Sequence, residues 1–248
     1  MDELKTCPVH GVAEVDFNDV EFLKNYKDVY KSIHDGGCPY ARSDRGDFYA
    51  FASHKDIVDS CLKPAQWSSK FGPGLQYQPP ETPGVLVSVD PPEHTFEARL
   101  VGKAFSKTYF ESFIPGIRAF LNERIDSFIE NGRADIHKEI SEPLPLWVIF
   151  AMFGKSIDHQ GISDFRAGFL GGVGQMLQRG VPAVRPNQAT HFLADHLADV
   201  KRKLAAGEAG PDDNLLTRFI TAEIDGRRLS DEKILGFCSF LLTAGSGT

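Results

Sequence analysis

Apolar residues recur at helical spacing along most of the chain. Leu23, Tyr26, Tyr30 and Ile33 predict an amphipathic helix over residues 19–34, stopped by Gly36 and Gly37. Ile117, Leu121, Ile125 and Phe128 predict another, closed by Asn131 and Gly132. Leu193, Leu197, Val200 and Leu204 share a face that ends at Gly207. Leu215, Leu216, Phe219 and Ile220 form a shorter one before a turn at Asp225-Gly226. Ser230 is placed to cap a last helix, with Asp231 and Glu232 in its first turn and Ile234, Cys238, Leu241 and Leu242 along one side. The stretch from Leu146 to Phe153 is apolar all round, the pattern of a buried helix.

Strand signals are few. Asp47 to Ala52 is short, aromatic and preceded by glycine, and predicts a strand. A helix should follow at once, with Ser53 as N-cap, Asp56 three residues on and Pro64 beyond its end. Residues 66–89 hold Gly72, Pro73, Gly74, Pro79, Pro80, Pro83 and Gly84 with little periodicity. A loop this long inside a compact domain is usually functional. Asp90-Pro91-Pro92-Glu93 then predicts a helix start, with Asp90 as the cap. The expected fold class is mainly α with a small β component near the N-terminus, in a single domain over 1–248.

Composition narrows the classes. Of 248 residues, 42% are hydrophobic and 19 are Phe, too much apolar bulk for a disordered chain. Lys and Arg number 27 against 34 Asp and Glu, a net charge of −7, which argues against nucleic acid as a partner. Cys7, Cys38, Cys61 and Cys238 are too few and too scattered for a disulfide framework. Acids stand near Met1 where a signal peptide is basic. The long uncharged stretches, Pro143 to Gly154 and Ile234 to Thr248, are too short to cross a bilayer. These features predict a soluble cytoplasmic protein without a membrane partner.

Several short motifs have bland explanations. Gly154-Lys155-Ser156 lacks the earlier glycine of a phosphate loop, since position 149 is Ile, and reads as a helix end. The cluster Gly168, Gly171, Gly172 and Gly174 has no strand before it and fails the dinucleotide spacing. His191, Asp195 and Asp199 fit a solvated helix face better than a metal site. Cys7-Pro8-Val9-His10 lacks the second cysteine of a heme-attachment motif.

Two segments carry more. One is Asp90-Pro91-Pro92-Glu93-His94-Thr95, continuing to Arg99-Leu100-Val101-Gly102-Lys103-Ala104-Phe105. The other is Leu241-Leu242-Thr243-Ala244-Gly245-Ser246-Gly247-Thr248. In this order and at this separation they resemble the cytochrome P-450 family of heme-thiolate monooxygenases, closest to the soluble bacterial kind. The likeness extends over essentially the whole chain and implies the N-terminal portion of that fold.

The resemblance implies heme b (iron protoporphyrin IX) held between two long helices. His94 matches the family histidine that contacts a heme propionate, a charge-assisted hydrogen bond. The family arginine four residues later is Ala98 here, and Arg99 stands one residue late, about 100° around a helix, with a side chain long enough to be the implied second propionate contact. Ala244 and Gly245 match small residues that leave room above the iron. Thr248 matches the threonine that helps deliver protons during oxygen activation, and Gly247 replaces the usual preceding acid. Leu86, Val87, Phe169 and Leu177 fall in regions that line the family's pocket for a hydrophobic small molecule, together with Phe71 and Leu75. O2 is the co-substrate implied, and ferredoxin with ferredoxin reductase the electron source. Arg99, Lys103 and Lys107 recur every four residues, a basic stripe for an acidic donor or a solvated face.

The family's axial cysteine loop, and the Glu-x-x-Arg pair before it, do not occur in these residues, so no metal ligand is assigned. All four cysteines read as structural thiols. The chain ends inside an apolar helical pattern, which predicts a truncated domain, inactive alone. A stand-alone helical module that binds a protein or apolar ligand without heme is the alternative.

Overall fold

The computed structural model describes residues 13–14, 20–36, 40–43, 46–72, 84–158, 160–165 and 188–245. They fall into two compact units, Met1–Thr82 with Val87–Pro91 and Pro83–Leu86 with Pro92–Thr248.

The first unit holds strand β1 (Ala13–Glu14), helix α1 (Val20–Gly36), strands β2 (Tyr40–Ser43) and β3 (Gly46–Tyr49), and helix α2 (His54–Cys61). The strands form one sheet in the order β1-β2-β3. β1 pairs parallel with β2, and β2 pairs antiparallel with β3 through Ala41 opposite Phe48. The predicted strand at 47–52 is thus β3, one residue earlier and ending at Tyr49. The predicted face of α1 is only partly buried: Ile33 is inside, whereas Tyr26 and Tyr30 are exposed and meet edge-on. The cap of α2 is as expected, with Ser53 Oγ accepting from the Asp56 N–H at 3.1 Å. The Ser53 hydroxyl also donates to the Asp56 carboxylate at 2.6 Å.

Asp90 departs from its expected role. Its carboxylate accepts from Ser68 Oγ at 2.5 Å and from the Ser69 N–H at 2.8 Å. The N-cap position of the following helix is Pro92, whose side chain has no oxygen to offer.

The second unit is helical. It contains α3 (Glu93–Ala104), α4 (Lys107–Glu111), α5 (Ile114–Phe128), a π-turn at His137–Ser141, α6 (Pro143–Met152), α7 (Gln188–Ala205), α8 (Leu215–Thr221) and α9 (Asp231–Gly245). Helix α9 packs on α6, α7 and α8, and α3 packs on α8. The apolar patterns of the later helices meet in one core: Leu146, Phe150, Phe153, Leu193, Leu197, Leu216, Phe219, Ile234, Phe237 and Leu242 are all buried. Removing such side chains from water is the main source of stability, about 25 cal/mol per Å².

Helix ends follow local chemistry. Asn214 and Thr217 form a reciprocal capping box on α8. Ser230 Oγ accepts from the Lys233 N–H at 3.3 Å, as its cap position predicts. Gly154 has φ +75° directly after α6, so Gly154-Lys155-Ser156 is a helix end. Asp225 and Gly226 have φ +53° and +74° in a two-residue turn closed by Ile224 and Arg227, the backbone that Asp-Gly favours. One expected face is rotated. On α5 the buried side chain is Phe120, against Trp147 of α6, while Ile125 is exposed.

Candidate heme-flanking site

Helix α3 turns three of its side chains inward: Glu97, Leu100 and Ala104, at positions i, i+3 and i+7. Glu97 is wholly buried yet fully partnered. Its carboxylate accepts from Lys233 Nζ of α9 at 2.5 Å and from the Leu86 N–H at 2.8 Å. Lys233 Nζ also donates to the Gly84 carbonyl at 2.5 Å. One carboxylate thereby joins α3, α9 and the segment before α3. The sequence reading missed Glu97 and Lys233. The available signal was an acid at helical spacing with Leu100 and Ala104, since a buried charge requires a partner.

His94 lies in the first turn of α3 with its ring exposed. Leu86 is half-buried with φ +38°, an unusual backbone for a leucine. Val87 is exposed. Ala244 is exposed at the end of α9. Gly245 lies close to α6, where a Cβ would stand 2.8 Å from Ile149 Cδ1. Phe169, Leu177 and Thr248 lie outside the described residues, as do Leu75, the glycine cluster and Cys7-Pro8-Val9-His10.

Arg99 points to Asp225, with 3.8 Å between guanidinium and carboxylate, both exposed. Lys103 reaches the Glu223 carbonyl at 3.5 Å. Lys107 sits on α4 and faces Glu111 at 3.7 Å. Helix α3 ends at Ala104, and Ser106 caps α4 by accepting from the Tyr109 N–H at 3.2 Å. The expected basic stripe is therefore split between two helices, with an acid or a carbonyl beside each cation. The turn at 224–227 is fastened to α3 as well. Arg227 pairs with Glu93 at 2.9 Å and lies 3.9 Å from the centre of the Phe96 ring.

The described cysteines do not fit as ligands to a heme iron. Burial pushes the Cys238 thiol up to about 12, so it stays protonated inside the core. A thiolate ligand needs the opposite environment. Cys61 is exposed in the first unit, and Cys7 and Cys38 lie outside the described residues. His94 does fit the role of a propionate donor, being exposed at a helix start. No group of three or more His, Cys, Asp or Glu able to hold a metal ion occurs among the described residues. Asp199 is instead held down at about 2 by hydrogen bonds from Lys203 and Arg202. No helix among the described residues is long and apolar enough to cross a membrane.

No family model matches the chain. Individual relatives do. It is 30% identical over 199 residues to cyclomarin C epoxidase CymV of Salinispora arenicola, covering 79% of this chain and 50% of that protein. It is 30% identical over 215 residues to erythromycin C-12 hydroxylase of Saccharopolyspora erythraea, covering 82% of this chain and 50% of that one. Among solved structures, cytochrome P450 CYP109Q5 from Chondromyces apiculatus superposes with a TM-score of 0.70 at 23% identity, over 94% of this chain and 57% of that one. The open form of EryK from S. erythraea gives 0.62 at 27% identity, over 88% and 54%. The two segments at α3 and α9, the helical fold and these relatives agree: the chain belongs to the bacterial cytochrome P450 family. It spans about half the length of the curated relatives it matches.

Proposed function

We propose that these residues are the N-terminal part of a heme-dependent monooxygenase acting on a hydrophobic small organic substrate. In the net reaction one oxygen atom of O2 enters a C–H or similar bond. The other leaves as water, with two electrons and two protons consumed. The electrons come from a ferredoxin through its reductase, and the protein works in the cytoplasm. The observation that carries this reading is the union of α3 and α9 through Glu97 and Lys233. These are the helices whose sequences resemble the pair flanking heme in the family.

Heme, when bound, supplies oxygen activation. His94 would donate to a propionate, and Arg99 would do so only by leaving Asp225. Ala244 and Gly245 would leave room beside the cofactor, Ala244 being small and exposed. The Thr248 hydroxyl would hold and pass a proton. With Gly247 beside it, a water or another side chain must provide the acid function, a contribution of about 10²–10⁴-fold. Leu86, Val87, Phe169 and Leu177 would line the substrate pocket, an apolar site of the usual kind.

The test uses the protein translated through its own reading frame and loaded with heme. With ferredoxin, reductase and O2, hydrophobic substrates should yield one oxygenated product per two electrons. Thr248→Ala should consume electrons while forming less product. Electron consumption without any oxygenated product in the unaltered protein would contradict the reading.

A further inference from the structure

We propose that Glu97 and Lys233 form a clamp that positions Leu86 and so sets which hydrophobic substrates the pocket accepts. The proposal rests on the reading of Leu86 as a pocket residue. It goes beyond that reading in assigning its control to two side chains on α3 and α9.

Three observations converge on the segment 84–86. First, it is tied at both ends by the same charged pair. Lys233 Nζ takes the Gly84 carbonyl at 2.5 Å, and the Glu97 carboxylate takes the Leu86 N–H at 2.8 Å. Second, the residue between is locked by packing. Val85 is buried, and a Cβ at position 236 would lie 2.9 Å from Val85 Cγ1, so Gly236 lets α9 approach. Third, Leu86 has φ +38°, a conformation that a leucine keeps only when its surroundings dictate it. A hydrogen bond from its own N–H to a buried carboxylate paired with Lys233 is such a constraint.

The pair is not required to fill space. Well-packed apolar side chains commonly replace a buried ion pair without loss of stability. What they do not supply is an acceptor for the Leu86 N–H or a donor for the Gly84 carbonyl. Glu97 and Lys233 are therefore positioning residues. Their effect on substrates passes through the placement of Leu86, and displacing one apolar wall by a methylene's width shifts selectivity by about ten-fold or more.

The test compares three proteins. The double variant Glu97→Leu/Lys233→Met removes both charges and both hydrogen bonds. The double variant Glu97→Gln/Lys233→Met removes the charges but keeps an amide oxygen for the Leu86 N–H. Hydrogen exchange on the 248-residue chain reads the clamp directly. The Leu86 amide should exchange about ten-fold faster in the Leu/Met variant and close to the original rate in the Gln/Met variant. Amides of Phe237 to Leu242 should be unchanged in both, showing that α9 is intact. In the heme-loaded full-length protein, the Leu/Met variant should alter the kcat/KM ratio between a bulky and a slim substrate by about ten-fold, mostly through KM. The Gln/Met variant should restore part of it, the remaining shift reporting the lost Lys233 tie to the Gly84 carbonyl. Unchanged Leu86 exchange in the Leu/Met variant overturns the clamp. Faster exchange with an unmoved substrate ratio overturns its control of selectivity. Failure of the monooxygenase reading is distinct, since the unaltered protein would then oxygenate no substrate while the exchange result still stands or falls alone.

Discussion

Helices α3 and α6 have similar lengths, 12 and 10 residues, and use their buried faces in opposite ways. Helix α6 buries Pro143, Leu146, Ile149, Phe150 and Met152, with no charge inside. Helix α3 buries Glu97 between Leu100 and the segment 84–86, and offers His94 to solvent one turn earlier. An apolar helix is held by area and shape, so it is a support. A helix that buries a carboxylate depends on particular partners, so it places backbone atoms to within a hydrogen-bond length. In this molecule the first kind forms the wall and the second kind carries the proposed chemistry.

The largest effect should come from the support. Phe150 is buried against Phe165 and Phe192, at centroid distances of 4.9 and 5.4 Å. Phe150→Ala should destabilise the chain by about 4 kcal/mol in urea unfolding, through lost transfer energy and a cavity. A loss below about 1 kcal/mol would show that α6 is not the packed wall described. Breaking the clamp on one side should come next. Lys233→Met leaves the Glu97 carboxylate buried and unpaired, at a cost of about 3 kcal/mol, the low end for a buried pair because the Lys233 head is partly exposed. Replacing both partners should recover most of that loss.

Gly236→Ala drives a methyl into Val85 and should cost about 2 kcal/mol. A neutral result would loosen the claim that 84–86 is locked. His196 gives a smaller, pH-dependent effect. Burial holds its imidazole below the ordinary value of 6.5, although its Nε2–H donates to the Phe153 carbonyl at 2.8 Å. The unfolded chain therefore takes up the proton first. This contribution to stability is complete above about pH 6.5 and falls as the pH drops below it. The melting temperature should fall more steeply between about pH 6.5 and 5 than in His196→Gln. Arg99→Ala should barely register, at about 0.5 kcal/mol or less, because its pair with Asp225 is exposed on both sides.

The wall was legible in the sequence because spacing alone decides it. Leu193, Leu197 and Val200 sit where a 3.6-residue period puts one face, and all three are buried. Asp225-Gly226 and Ser230 were legible because turn and cap chemistry is local. Strand β1 was not, since its two residues gain strand structure only by pairing with β2 well along the chain, and β2 was missed although it forms a hairpin with the adjacent β3. The face of α5 was legible only in part: Ile117, Leu121 and Phe128 are half-buried as expected, but Ile125 is exposed and the buried residue is Phe120, set by Trp147 of another helix. Similar reasons govern the site. His94, Ala244 and Gly245 were singled out from motifs at their own positions. Glu97 and Lys233 were not, because 135 intervening residues of chain hide a contact that only folding creates. Arg99, the second propionate contact implied, stands beside Asp225, a neighbour that only the fold supplies.

The measurement that bears most directly on the account is the reduced, carbon-monoxide difference spectrum of the heme-loaded protein translated through its own reading frame. The account predicts the absorption band of a thiolate-ligated heme, unchanged in Cys238→Ala because that thiol is protonated in the core. A spectrum lacking the thiolate band, or a band lost in Cys238→Ala, would contradict it.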